Sequence, residues 1–224
     1  MKWSVKEIPE VIYCDNHIVV AIKPSGMLTQ PDHTDTPSLE EFVKNYIKQK
    51  FNKPGAVFVH AIHRLDRPVS GLVLFAKTSK ALSRLNELSR NGNIEKLYTA
   101  EVEGKISQNK GILDHYLIHA KHHAIVSASH NPEAKRAILG YKVLKIKSNT
   151  TIVQIELQTG RYHQIRAQFA AIGHPIVDDI RYHSKSGDGK AIHLCCTSFI
   201  FSHPVTSEEM AFQCTAPFLS DFFK

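Results

Sequence analysis

One stretch, residues 63–77, constrains the fold more than any other part of the chain. Its first half is charged and turn-like, because Asp66 lies between Arg64 and Arg67 and is followed closely by a proline and a glycine. Its second half, residues 72–76, is a continuous apolar run with the length of a buried strand. The sequence therefore predicts a carboxylate on a tight loop that leads directly into a core strand.

A carboxylate on such a loop is a candidate for chemistry, because loops anchored on a rigid strand often carry functional groups. A half-buried aspartate stays ionised at neutral pH only when a cation or hydrogen-bond donors face it. The neighbouring arginines could supply that charge. A surface turn that is merely rich in charge is the alternative that this stretch leaves open.

The rest of the chain contains many short strands and few helices. Alternating and apolar patterns predict strands over residues 11–13, 17–22, 95–104, 110–126, 135–146, 150–157, 193–201 and 210–214. Helical spacing predicts a helix over 39–49 behind a Ser38 capping box, one capped by Ser79 that stops at 91–93, one over 162–172, and a short helix or extended tail at 217–223. Strands joined by short turns favour an α+β fold with a mixed, largely antiparallel sheet.

Composition favours a basic globular protein with a polyanionic partner. The 224 residues carry a formal net charge of +7, and 42% of them are hydrophobic. No apolar run reaches the roughly 18 residues of a membrane helix, and residues 1–10 lack the apolar core of a signal peptide. None of the four cysteines forms a C-x-x-C pair. Together these features predict a cytoplasmic protein with reduced thiols that does not bind a membrane.

Histidine is abundant, with 14 residues in the chain. His115, His119, His122 and His123 form one cluster in sequence, but no H-E-x-x-H pattern occurs. The favoured interpretation is a partly cationic surface that suits phosphate, with no metal site. A metal-dependent hydrolase built on this cluster remains an alternative.

A second polar stretch, residues 160–166, lies at the predicted start of a helix. Free backbone N–H groups at a helix start favour anions, and the stretch adds two arginines, Arg161 and Arg166. Their spacing of about one helical turn predicts that both side chains reach the same rim. An ordinary polar helix start is the alternative.

These motifs resemble, in the same order, those of the RluA-type pseudouridine synthases. H-R-L-D-x-x-x-S-G-L-x-L-F-A-K at 63–77 is similar to the family's signature. Residues 96–104 resemble its K-x-Y-x-A-x-V-x-G strand, and residues 160–166 its G-R-x-H-Q-I-R motif. Residues 15–26 and 201–206 are similar to its opening and closing segments. The resemblance covers nearly the whole chain and implies the family's α+β fold, with helices and loops around a central cleft.

The resemblance also implies an isomerase that converts uridine within RNA to pseudouridine without a cofactor or metal. In that reaction the N-glycosidic bond breaks, the uracil turns, and its carbon 5 joins the sugar. By resemblance Asp66 is the catalytic aspartate, Arg166 pairs with it, and Tyr98 stacks on the flipped uracil, while Arg64 assists base flipping. The other predicted substrate-binding residues are His63, Arg161, Gln164, Ile165 and Lys23.

The chain departs from the family pattern at several positions. Residues 67–69 differ from the usual ones after the aspartate, and Tyr162 stands where threonine is frequent. The catalytic segment begins near residue 11, so we expect residues 1–224 to form a single catalytic domain without a separate N-terminal RNA-binding domain. We expect a monomer that acts on stem-loops of tRNA or rRNA. A catalytically idle RNA-binding protein on the same fold is the second hypothesis.

Overall fold

A computed structural model describes residues 8–222. Residues 1–7 and 223–224 lie outside the described part, including most of the N-terminal segment and Phe223 of the predicted C-terminal helix or tail. The chain divides into two compact units. The first unit contains residues 8–95 and 196–222, and the second unit contains Lys96–Cys195.

Eleven strands and three α-helices are present within residues 8–222. The strands are β1 (Glu10–Cys14), β2 (Ile18–Lys23), β3 (His60–Ala61), β4 (Ser70–Ala76), β5 (Ile94–Glu103), β6 (Lys110–His119), β7 (Ala124–Ser127), β8 (Lys135–Ile146), β9 (Thr150–Leu157), β10 (Leu194–Ser202) and β11 (Glu209–Gln213). The helices are α1 (Leu39–Lys50), α2 (Ser79–Arg90) and α3 (Gln164–Ala171), and two short 3₁₀ helices cover Ile180–Tyr182 and Pro217–Phe222.

The first unit is built around β4, in which every residue is buried. Strands β2 and β3 pair with β4 in antiparallel fashion, and β1 pairs with β2 in the same way. β10 follows β4 in the sheet, and β11 pairs antiparallel with β10. The apolar run at 72–76 thus forms the buried strand that the sequence predicts, and the loop with Asp66 leads directly into it.

The two helices of the first unit follow the predicted spacing, and one cap differs. Ser38 and Glu41 form the predicted capping box of α1. The predicted Ser79 cap of α2 is wrong, because Ser79 is already helical. The cap is Thr78, which has an extended backbone and whose hydroxyl accepts a hydrogen bond from the N–H of Ala81 at 3.1 Å.

The second unit contains a five-stranded antiparallel sheet in the order β5-β9-β8-β6-β7. Helix α3 contacts β6 and β7. Small residues allow this close approach, since Ala124, Ala137 and Ala167 form a buried cluster with Leu117 and Tyr182.

Two sequence predictions in the second unit need correction. The strand predicted over 110–126 is two strands, β6 and β7, because Ala120 N–H bonds to His123 O and closes a tight turn between them. The helix predicted over 162–172 begins only at Gln164, because His163 has a left-handed backbone with φ of 50°. The α+β class and the largely antiparallel pairing are confirmed. Within residues 8–222, no helix has both the length and the apolar character needed to cross a membrane.

We expect Gly71→Ala to lower the free energy of unfolding by about 1–3 kcal/mol. Gly71 has a φ of +118°, and an added Cβ would overlap the backbone O and N of Cys196 in β10. Rotation of a side chain cannot relieve a contact with backbone atoms. Urea unfolding measures the effect, with Gly55→Ala as the control, because nothing lies within 4 Å of a Cβ at Gly55. Equal stability of the two variants would contradict this account of β4.

Candidate active site

The loop before β4 presents Asp66 at its bend. The N–H of Val69 donates to Asp66 O at 3.0 Å and closes a turn. Leu65 and Val69 are buried, which anchors the loop on both sides of the bend. Asp66 itself is half-buried, and Arg64 is exposed to solvent. The turn therefore holds a carboxylate that is partly open to solvent, two residues from an exposed arginine.

Backbone hydrogen bonds hold the residues on both sides of Asp66. On one side, Leu65 N–H donates to Thr29 Oγ1 at 3.0 Å, and the Thr29 hydroxyl donates to Leu65 O at 2.8 Å. On the other side, Gly26 N–H donates to Arg67 O at 2.7 Å, and Arg67 Nε donates to Gly26 O at 3.0 Å. The segment between β2 and α1 therefore fixes the backbone on both sides of Asp66. No pattern in the sequence indicates that Thr29 has this position.

Lys23, which the sequence predicts to bind substrate, adds further hydrogen bonds to the loop that contains Asp66. It does so from the interior of the first unit. Its side chain is fully buried, and Nζ donates to the carbonyls of Pro24, Met27 and Arg67 at 3.1, 2.7 and 3.2 Å. Three carbonyl oxygens suit the three donors of an ammonium group. This environment favours a role in holding the loop over a direct contact with RNA phosphate.

His63 packs within the first unit as well. Its ring stacks on Phe199 of β10, with centroids 4.7 Å apart and planes at 29°. The N–H of Leu74 points at His63 Nε2 at 3.4 Å. These contacts favour a role in supporting the loop, and the predicted contact of His63 with substrate stays a prediction.

In the second unit, Arg166 lies in a buried ion pair. Nε donates to Asp179 Oδ2 at 2.7 Å, and Nη2 donates to Asp179 Oδ1 at 2.8 Å. The side chains are 4% and 1% exposed. The guanidinium also lies over the ring of Tyr182, 5.0 Å from its centroid. A two-point bond fixes the plane of the guanidinium as well as its position.

Asp179 and Tyr182 were not found from the sequence. Asp179 follows Arg166 by 13 residues, beyond the end of α3, and no spacing rule connects such positions. Asp178 and Asp179 are adjacent, so residue type alone does not show which aspartate meets the arginine. In the structure Asp178 is half-buried and Asp179 is buried. The pairing is a tertiary contact that depends on the path of the chain after α3.

His163, at the entry to α3, contacts the same arginine. Arg166 Nη1 lies 3.0 Å from His163 Nε2, and Tyr182 Oη lies 2.9 Å from His163 Nδ1. Burial and then the positive charges of Arg166 and Arg181 lower the pKa of His163 to about 3. The imidazole is therefore neutral at physiological pH.

The remaining predicted residues of this stretch divide into buried and exposed positions. Gln164 Oε1 accepts from Arg161 N–H at 3.0 Å, and its Nε2 donates to Ile138 O at 3.1 Å. Ile165 is buried. Arg161 is exposed, and its Nε donates to Arg136 O at 3.0 Å. The expectation that Arg161 and Arg166 share one rim is therefore wrong, because the left-handed turn at residue 163 separates an exposed arginine from a buried one.

Tyr98 lies on β5, opposite Ile155 of β9, and is buried. The strand predicted over residues 95–104 is present, but burial does not alternate along it, because residues 98–102 are all buried. The stacking of Tyr98 on a uracil and the pairing of Arg166 with Asp66 both stay predictions.

The clustered histidines have separate contacts. Gln168 Nε2 donates to His115 Nδ1 at 3.2 Å, His119 packs against Tyr162, and Arg181 Nη1 donates to His122 O at 2.9 Å. In the part of the chain from residue 8 to 222, no three histidine, cysteine, aspartate or glutamate residues are grouped so that they could hold a metal ion. The hydrolase alternative has no ligand set in this part of the chain.

A family model and two relatives of known name all match RNA pseudouridine synthases. A family model described as RNA pseudouridylate synthase matches residues 17–171. The dual-specificity RNA pseudouridine synthase RluA of Haemophilus influenzae is 31% identical over 212 residues, which cover 93% of this chain and 94% of that protein. The tRNA pseudouridine synthase C of Vibrio parahaemolyticus is 32% identical, with 90% of this chain and 87% of that protein covered.

A solved structure supports the fold. Human RNA pseudouridylate synthase domain containing 4 superimposes with a TM-score of 0.80 at 20% identity, over 92% of this chain and 88% of that one. The family model covers well over half of the sequence, and relatives more than 30% identical align along at least nine-tenths of it. This chain therefore belongs to the RluA-type RNA pseudouridine synthases, a family of isomerases that act on RNA.

Proposed function

We propose that this protein converts one or a few uridines in structured tRNA or rRNA to pseudouridine, with Asp66 as the catalytic carboxylate and no cofactor. The names of its relatives support an RNA substrate of this kind. They include a dual-specificity synthase, a tRNA synthase and, in Vibrio vulnificus, a ribosomal large subunit synthase that is 30% identical. The observation that carries the proposal is the clamped Asp66 turn in a chain of this family.

The reaction needs no external reactant. The bond between N1 and the sugar carbon breaks, a bond from C5 to the same carbon forms, C5 loses a proton, and N1 gains one. Substrate and product are isomers, so no electron acceptor or group donor enters the balance. Asp66 acts in its carboxylate form, by attack on the sugar, by attack on the uracil, or by removal of a proton from the sugar.

Arg166 is the proposed partner that keeps Asp66 ionised and aimed. Its anchoring supports this role, because Asp179 already fixes two guanidinium nitrogens and limits their rotation. Tyr98 is the proposed stacking surface for the uracil, and the exposed Arg64 is the proposed phosphate contact. A target base inside a stem must leave the stack, at a cost of a few kcal/mol that backbone contacts offset.

We also propose that the two units make up one catalytic domain that acts as a cytoplasmic monomer. The family match supports the single domain, because residues 17–171 run from the first unit into the second. The basic composition supports an RNA partner.

The proposal is tested by mapping pseudouridine at single-nucleotide resolution in unmodified tRNA and rRNA transcripts. We expect new marks at one or a few positions after incubation with the protein, and the same marks with EDTA present. The class of transcript that is marked identifies the substrate. A folded protein that binds RNA and leaves no mark would favour the idle RNA-binding protein. Cleaved RNA without any new mark, with the cleavage abolished by EDTA, would favour the metal-dependent hydrolase.

A further inference from the structure

The contacts of His163 determine which ring nitrogen carries its proton. An arginine Nη can only donate a hydrogen bond, so His163 Nε2, at 3.0 Å from Arg166 Nη1, has to accept. A neutral imidazole has one donor and one acceptor. The proton therefore lies on Nδ1, which donates to Tyr182 Oη at 2.9 Å. Tyr182 Oη also accepts from the N–H of Ala124 at 2.7 Å, which fixes its position.

The surroundings of His163 favour this neutral form. Arg166 on α3, Arg181 beside Tyr182 and His119 on β6 all oppose a second positive charge at this place, and Asp179 is the acidic group that favours one. Asp179 is already engaged by two nitrogens of Arg166. A proton added to Nε2 would also face the Arg166 donor directly.

Tyr162 covers the exposed side of His163. Its ring stacks on the imidazole, with centroids 3.9 Å apart and planes at 17°. His119 packs against Tyr162 at 4.2 Å between centroids. Tyr162 is 40% exposed, whereas His163 is 7% exposed. The bulkier side chain at this position thus keeps water from the bond between His163 and Arg166.

We propose that His163 is a positioning residue that stays neutral, carries its proton on Nδ1, and accepts from Arg166 Nη1, so that three guanidinium nitrogens are held. Asp179 holds Nε and Nη2, and His163 holds Nη1. An arginine fixed at all three nitrogens cannot rotate within its plane or tilt out of it. The effect on catalysis rests on the proposed function, in which Arg166 aims Asp66.

Two substitutions at residue 163 separate the two ring nitrogens. In His163→Gln, Oε1 lies as many bonds from Cα as Nε2 does, so glutamine keeps the acceptor for Arg166 and loses the donor to Tyr182. In His163→Asn, Nδ2 takes the place of Nδ1, so asparagine keeps the donor and loses the acceptor. We expect His163→Asn to lower the single-turnover rate on the mapped RNA by about 10- to 100-fold. We expect the rate of His163→Gln to stay within several-fold of the wild-type rate.

The stability order of these variants should be the reverse of the activity order. The backbone φ at residue 163 is 50°, a left-handed conformation that asparagine adopts readily and glutamine does not. A merely structural role would make Gln the poorer enzyme, because it is the less stable variant. If His163 acts by holding Arg166 through Nε2, the His163→Asn variant is the poorer enzyme. RNA affinity is unchanged in both variants. A rate that follows stability across the two variants would overturn the proposal.

A spectroscopic measurement tests the protonation state without relying on activity. We expect ¹⁵N NMR of wild-type protein, with His163 assigned by comparison with His163→Asn, to show a protonated Nδ1 and a bare Nε2 from about pH 5 to pH 8. A proton on Nε2, or titration near the ordinary pKa of 6.5, would overturn the proposal. Wild-type protein that marks no RNA but shows this tautomer would count against the proposed function and not against the role of His163 in holding Arg166.

Discussion

Asp66→Asn is expected to abolish pseudouridine formation and to leave both the fold and RNA binding intact. An amide can neither attack as a carboxylate nor accept a proton near neutral pH, so we expect the single-turnover rate to fall by about 10³-fold or more. The bonds that hold the loop join the backbone of Leu65 to the hydroxyl of Thr29, and join the carbonyl and Nε of Arg67 to the backbone of Gly26. These bonds do not use the Asp66 carboxylate, so the variant keeps all of them.

Single-turnover kinetics and RNA affinity, measured on the same preparations, check this expectation. The control is Asp35→Asn, which removes the same charge from an exposed position in the first unit. We expect the control to keep both rate and affinity. If the Asp66→Asn protein retained turnover, the catalytic group would have to be another residue. If its RNA affinity fell as much as its rate, Asp66 would mainly bind RNA.

The parts of the fold that the sequence predicts well are those set by local chemistry. The buried strand β4 follows from a continuous apolar run, and α1 follows from the Ser38 capping box. The turn between β6 and β7 was missed, because residues 120–123 contain no glycine or proline to mark it. The late start of α3 was missed too, because a left-handed histidine has no sequence signal.

The candidate site shows the same division. The motifs identify Asp66 and Arg166 through resemblance, but the partners that hold them, Thr29 and Asp179, are chosen by tertiary contacts. Charge in the sequence was also misleading in one respect. Lys23 has the appearance of a phosphate contact at a strand end, yet its ammonium group lies among backbone carbonyls in the interior. Burial decides whether a cation faces RNA or supports the protein, and burial is a property of the complete fold.

Asp179→Asn is expected to destabilise the protein by about 3–5 kcal/mol, because it removes the charge of the carboxylate that holds two nitrogens of the buried Arg166 guanidinium. The two side chains are 4% and 1% exposed, so water cannot replace the lost carboxylate. With one of its two anchoring bonds weakened, Arg166 also loses its fixed orientation. We expect the single-turnover rate to fall by about 10- to 100-fold, while RNA affinity stays near that of the wild type because Asp179 is buried.

The second unit contains a matched control for this prediction. Arg136 and Asp114 form a pair with the same two-point geometry, Nε to Oδ1 at 3.0 Å and Nη2 to Oδ2 at 2.6 Å, but these side chains are 57% and 40% exposed. Water screens that pair, so we expect Asp114→Asn to have little effect on urea unfolding. Similar losses in the two variants would mean that geometry, and not burial, sets the strength of these pairs. A stable Asp179→Asn protein with a normal rate would show that His163 and the ring of Tyr182 suffice to hold Arg166 in place.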